Sequence, residues 1–224
     1  YFNTLFEQQK TKYAEFPRQA IKITLPDGNV KEGTSFETTP VKVAEMISKQ
    51  LAKKIIVAKV RVLNRVATLD DGLMDPESEK ASDPNAFVFW DATRPFEGDV
   101  ELQLLQFTDD EGKETFWHSS AHVLGETLEL EYGVHLTHGP PTQDGFFYDS
   151  YAGKDFFTDK NYKAIEDAAK KIQKEKQTFQ RLVLSKDEAL QLFSENPFKV
   201  QTIQGKIPDG SKVTAYKSGD LIDL

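Results

Sequence analysis

The chain has 224 residues, 38% of them apolar and 11% aromatic, with a net charge of −8 and no cysteine. This length holds two modest domains at about 100–200 residues each, and the missing thiols exclude a disulfide framework or a thiolate metal site within these residues. An acidic total argues against a protein whose main task is to grip nucleic acid through phosphates; with no apolar run near the roughly 20 residues of a bilayer span and no secretory signal, a cytoplasmic location is expected.

Residues 3–15 read as a short polar helix, stopped near Phe16-Pro17, and residues 1–18 as a helical lead-in. Ala20 to Leu25 alternates as a strand, Pro26-Asp27-Gly28-Asn29 is a turn, and Val30 begins the return. Thr39 then caps a helix that has Pro40 at its first position and Val43, Met46, Ile47 and Leu51 at helical spacing. Ile55–Val60 and Val100–Phe107 are further strands. A hairpin, a crossing helix and more strands over residues 19–108 describe an α+β domain of the ubiquitin-like, β-grasp kind. Between Val60 and Phe89 the pattern dissolves into acidic, turn-rich sequence. Residues 61–86 are expected to be a mobile surface insertion, because they bury too little apolar surface to offset their ordering entropy. The net charge reflects this: +4 over residues 1–60, −9 over 61–115 and −3 over 116–224.

Asp109 to Glu114 reads as a linker, and a second α+β domain spans residues 115–224, opening on a helix over 115–131. Asp159 is expected to cap a long amphipathic helix that carries Tyr162, Ile165, Ala168, Ala169, Ile172 and Phe179. Lys160, Lys163, Lys170, Lys171, Lys174 and Lys176 on it form either a solvated face or a basic strip. A helix over Lys186–Phe193 should end before Asn196-Pro197. Phe198–Ile203 and Lys212–Tyr216 then read as strands flanking the turn Pro208-Asp209-Gly210.

The chemistry concentrates in one place. All four histidines, His118, His122, His135 and His138, lie within 21 residues, and histidine is the side chain best suited to proton transfer or metal binding near neutral pH. On a helix, the first two stack on one face, one turn apart. From the residues alone, three readings of that pair stand: proton transfer, part of a metal site, or packing. Gly139-Pro140-Pro141 and Asp144-Gly145-Phe146-Phe147-Tyr148 follow as a rigid loop and an aromatic run. His135 and His138 read as loop structure.

Trp117-His118-Ser119-Ser120-Ala121-His122, the Gly-Pro-Pro and Gly-Phe-Phe-Tyr elements and Leu221-Ile222-Asp223-Leu224 together resemble the editing domain of the threonyl-tRNA synthetases, which is similar to one in alanyl-tRNA synthetases. Ile21 to Gly28, Thr38-Thr39-Pro40, Phe89-Trp90-Asp91 and Arg94-Pro95 resemble that family's β-grasp (TGS) module. The resemblance implies hydrolysis of mischarged seryl-tRNA(Thr), with His118 and His122 activating or positioning a water. It implies that Lys199 reaches into the pocket, and that Asp223 binds the substrate's α-amino group or orients a histidine. Gly139, Gly145, Phe146 and Tyr148 become substrate-binding candidates, the glycines by close backbone approach and an aromatic ring by stacking on the terminal adenine.

No metal and no cofactor is implied for these residues; ATP, magnesium and zinc are implied for an aminoacylation core that they do not include. The implied partners are the acceptor end of tRNA(Thr) and the seryl-adenosine moiety, with no membrane, and a parent homodimer formed through that core. The chain reads as a fragment that starts at Tyr1 without Met and stops one residue before the family's Cys-x-x-x-His element. A non-catalytic scaffold or ribosome-associated protein, or a free-standing editing protein, is the competing expectation.

Overall fold

The computed structural model describes residues 1–74, 86–154 and 157–224. They fall into two compact units, one of residues 8–69 and 86–116, the other of residues 1–7, 70–74 and 117–224.

Helix α1 (Phe2–Glu15) precedes the hairpin β1 (Ala20–Thr24) and β2 (Val30–Thr34). The turn between them is closed by the Gly28 amide donating to Leu25 O, with Gly28 at φ 82° where L side chains are strained. Helix α2 (Pro40–Ile47) starts where the sequence places it: the Thr39 hydroxyl accepts from the Lys42 amide at 3.3 Å, and Pro40 gives up no helical donor. The one-turn α3 (Lys49–Ala52) leads into β3 (Ile55–Arg65), β4 (Val88–Asp91) and β5 (Gly98–Gln106). Among the described residues these strands form a sheet in the order β2-β1-β5-β3-β4, with β1 and β5 parallel and the other pairs antiparallel. Alternation turns Ile21, Ile23, Val100 and Leu102 onto one face, where they bury with Val43, Val60, Trp90 and Phe96. The Trp-Asp…Arg-Pro motif is an internal brace. Trp90 Nε1 donates to Arg94 O at 3.0 Å, and the Arg94 guanidinium lies 3.5 Å from the Trp90 ring centroid while pairing with buried Glu97 at 2.6 Å.

Two expectations change here. Strand β3 continues to Arg65, so the first residues of the expected insertion are sheet, paired with β5 as far as Arg65 opposite Gly98. Arg61 and Glu101 pair across that ladder, which offsets the polar sequence. Residues 75–85 of the insertion lie outside the described residues. The expected linker is helical: α4 runs Asp110–Tyr132, and Asp110 and Glu111 in its first turn complement the positive end of the helix dipole.

In the second unit, α4 is followed by two small hairpins, β6 (His135–His138) with β9 (Asp149–Tyr151), and β7 (Pro141–Thr142) with β8 (Gly145–Phe146). Helix α5 (Asp159–Glu175) is capped by Thr158 rather than Asp159, and it ends at Lys176 in the left-handed region, so Phe179 lies beyond it. Then come β10 (Gln180–Ser185), α6 (Lys186–Leu192), α7 (Pro197–Lys206), β11 (Lys212–Ser218) and β12 (Leu221–Asp223). The last three strands form a sheet in the order β10-β11-β12. Leu182, Leu184, Val213 and Ala215 of that sheet bury against Phe193, Ile203, Ile207 and Phe2. The described end of the acidic stretch is tied to this unit, with Asp70 taking both guanidinium nitrogens of Arg181 at 3.0 and 3.2 Å.

The strand expected over Phe198–Ile203 is helical, inside α7. Helix α6 ends before Asn196-Pro197 as expected, and the same pair starts α7: the Asn196 side-chain Oδ1 accepts from the Phe198 and Lys199 amides, and Pro197 occupies the first turn. No helix of the described residues is long and apolar enough to cross a membrane.

Candidate functional site

One side of α4 presents His118, His122, Gly125 and Glu129, at i, i+4, i+7 and i+11. The two imidazoles stack with centroids 5.0 Å apart and planes 24° apart. Their environments differ: His118 is exposed and His122 is buried.

Strand β12 delivers the carboxylate. Leu221 and Asp223 share its inner face by the period of two, and Asp223 is only 2% exposed. A buried charge is costly unless it is paired and hydrogen-bonded, and Asp223 is both. Lys199 Nζ pairs with its Oδ1, which also accepts from the Leu224 amide at 2.9 Å. Its Oδ2 accepts from the Tyr148 hydroxyl and stands 3.4 Å from His122 Nδ1. A carboxylate offers about four lone-pair sites; Lys199, the Leu224 amide and Tyr148 take three of them, and the His122 contact faces the fourth.

Three segments bring these groups together. Lys199 is held in the first turn of α7, whose cap residue, Asn196, also donates from Nδ2 to Leu136 O at 2.8 Å and so fastens the helix to β6. Tyr148 lies where a Cβ would stand on two glycines: on Gly139 it would meet the ring at 2.6 Å, and on Gly125 at 2.8 Å. The room that Gly139 leaves is therefore taken by Tyr148. The ring of Phe179, after α5, meets His122 edge-on at 5.9 Å and stays 38% exposed.

The electrostatics follow from burial and from Asp223. Burial lowers the His122 pKa from 6.5 to about 4; Asp223 opposes the shift, while His118 and Lys199 add to it. His122 is thus neutral at pH 7, and the Asp223 contact selects the tautomer with its proton on Nδ1, leaving the Nε2 lone pair free to accept. Burial alone would raise Asp223, but the Lys199 ammonium, His122 and the Tyr148 hydroxyl outweigh it and hold the carboxyl below its ordinary value. Burial and then Asp223 push the Tyr148 phenol far above its usual range, so it remains a donor. Glu129 is raised by burial and by Asp223, with Lys199 opposing.

Of the sequence candidates, His118, His122, Lys199, Asp223, Tyr148 and Gly139 stand in this cluster. Phe146 packs on Trp117, the neighbour of His118, at 5.9 Å. Gly145 lies in β8 opposite Thr142, and an added Cβ there would meet only Thr142 Oγ1, at 3.8 Å. His135 faces Phe198 at 6.5 Å, and His138 is opposite Asp149 across the β6–β9 ladder. Gly125, Glu129, Asn196 and Phe179 escaped the sequence reading. Helical spacing from His122 points to the first two, and the Asn-Pro pair to the third; Phe179 has no such signal.

Among the described residues, no group of three or more His, Cys, Asp or Glu is arranged to hold a metal.

Residues 21–106 match the TGS domain family. Over 98% of its length the chain is 43% identical to "Threonine--tRNA ligase, mitochondrial 1" of Arabidopsis thaliana, covering 28% of that protein. Over 100% of its length it is 41% identical to the cytoplasmic threonine–tRNA ligase of Saccharomyces cerevisiae, covering 29% of it. The corresponding enzyme of Caenorhabditis elegans is also 41% identical over 98% of the chain. The chain spans less than a third of each of these relatives.

Proposed function

We propose, from this identity with part of the threonine–tRNA ligases, that the second unit is an editing domain that hydrolyses seryl-tRNA(Thr). It would act within a cytoplasmic, homodimeric enzyme that ligates threonine to tRNA(Thr) using ATP, with the nucleotide and metals held outside this chain. The observation that carries the reading is the convergence of His122, Lys199 and Tyr148 on buried Asp223. A scaffold has no chemical need for such a cluster, and the relatives bear the names of ligases rather than of scaffolds.

The need for the reaction follows from the substrate. Serine is threonine without a methyl group, and one missing methylene supplies only about 1–3 kcal/mol of discrimination. A second pocket that admits serine and excludes the extra methyl restores accuracy. In that pocket the acceptor end of the tRNA presents its seryl ester, and a water attacks the carbonyl carbon. Asp223 fixes the His122 ring, so that Nε2 accepts a hydrogen bond from the water and aims it. A pKa of about 4 makes His122 a weak base, suited to orienting the water and passing its proton on rather than storing it. The Lys199 ammonium has three donors; Asp223 takes one, which leaves two for the developing oxyanion. The ester bond then breaks and the ribose oxygen leaves with a proton. His118 and Phe179 are exposed beside His122, and the terminal adenosine would enter past them.

The deciding experiment compares deacylation of seryl-tRNA(Thr) and threonyl-tRNA(Thr) by the purified full-length protein. Selective loss of serine is expected. Equal hydrolysis of both esters, or of neither, would overturn the proposal.

A further inference from the structure

The reaction leaves one buried charge in this unit unused. Glu126 lies one helical turn past His122 on α4 and is 3% exposed. Its Oε1 accepts from the Asp220 amide at 3.2 Å and from Gln177 Nε2 at 3.0 Å. Gln177 Oε1 in turn accepts from the Ser218 hydroxyl at 3.1 Å. A single carboxylate therefore joins α4 to the β11–β12 turn and to the segment after α5.

The turn is shaped to admit it. Gly219 has φ 57°, and a Cβ there would overlap both Glu126 Oε1 and Gln177 Nε2. Glycine is thus required twice, by conformation and by close approach. Both joined segments lead directly into the candidate site. Asp223 is three residues beyond Asp220, on a strand whose pairing with β11 among the described residues is Tyr216–Asp223, Lys217–Ile222 and Ser218–Leu221. A one-residue slip of this three-residue ladder would turn Asp223 and Leu221 to the opposite face. Phe179, the edge-on neighbour of His122, is two residues beyond Gln177.

We infer that Glu126 is a positioning residue, a latch through which α4 holds the β11–β12 turn and the Gln177 segment where Asp223 and Phe179 reach His122. Its effect on turnover rests on the editing reading; its effect on the surroundings of His122 does not. Around that imidazole stand the charged or titratable groups His118 on α4, Lys199 on α7 and Asp223 on β12. Releasing the turn admits water and relaxes the desolvation that holds His122 neutral.

The test combines histidine NMR titration of the 224-residue chain with seryl-tRNA deacylation by the full-length protein, for Glu126→Ala and Glu126→Gln. In Glu126→Ala the His122 midpoint should rise by about one pH unit. Its kcat should fall about 10–100-fold, with KM within about twofold of wild type. Glu126→Gln keeps the Oε1 acceptor and should restore both, which a need for the charge itself would not allow. A folded Glu126→Ala variant that titrates like wild type overturns the inference, and so does a glutamine variant as impaired as alanine. If Glu126→Ala does not fold, Gln177→Ala decides by the same titration: a raised His122 midpoint supports the latch and a wild-type midpoint overturns it. If the wild-type enzyme spares seryl-tRNA, the editing reading fails while the titration still tests the latch.

Discussion

Asp223 and Lys199 face each other from a three-residue strand and the first turn of a helix, and neither has water to fall back on. Asp223→Asn keeps the shape but leaves a buried ammonium without its counter-charge. Loss of one partner of a buried pair costs about 3–5 kcal/mol, so urea denaturation should show a loss of that order, together with loss of seryl-tRNA deacylation. His122 ties stability to pH through its depressed pKa. As pH falls past 6.5 the unfolded chain takes up a proton that folded His122 refuses until about pH 4. Stability is therefore lost across that window, by on the order of 3 kcal/mol. Asp223, lowered in the folded state, adds a further loss below the ordinary carboxylate range as it is forced to protonate. The urea midpoint should drop between pH 7 and 4, and His122→Gln should flatten the 6.5-to-4 part of the curve. His118→Ala and His122→Ala should each slow deacylation by on the order of 10²-fold if the stacked pair handles one water. The double variant should then lose little more than the worse single one. Multiplying losses in rate assays would show two separate roles.

At the scale of elements, α7 shows how a local signal can be read on one side only: α6 does end before Asn196-Pro197, but the residues beyond the pair are helix and not the expected strand. Proline after a helical stretch suggests a stop, yet Asn196-Pro197 is also a cap followed by a first-turn proline, and the structure uses it that way. Asn196→Ala removes the cap and leaves Leu136 O without its donor. A cost of about 1–2 kcal/mol is expected in thermal or urea unfolding, with slower deacylation because Lys199 sits in that first turn. Elements with a clear period were legible: β1 and β5 from alternation, α2 from its Thr-Pro start, and α4 from its paired histidines. Elements too short to show a period were not. Strand β12 has three residues and β7 and β8 have two each, and such pieces exist only because a neighbouring segment completes their hydrogen bonds.

Across the whole molecule, each unit has its own core, centred on Trp90 and Phe96 in one and on the β10-β11-β12 sheet in the other. Trp90→Ala should destabilise the β-grasp unit by about 3–5 kcal/mol, since it removes a buried ring and the seat of the Arg94 guanidinium. The resonances of the four histidines, which take no part in that core, should hold their positions, and NMR would report it if they moved. The sequence by itself determined the two-part α+β plan, the β-grasp strands and their capped helix, and the residue types of the candidate site, because periodicity, caps and histidine spacing are local properties. Only the tertiary structure decided that Lys199 is buried, that it meets Asp223 together with Tyr148 and His122, that Tyr148 fills the space of two glycines, and that Glu126 grips a distant turn. These depend on approaches between residues 9 to 101 positions apart along the chain, and the free energy of such approaches lies in desolvation and pairing, which no window of neighbouring residues contains.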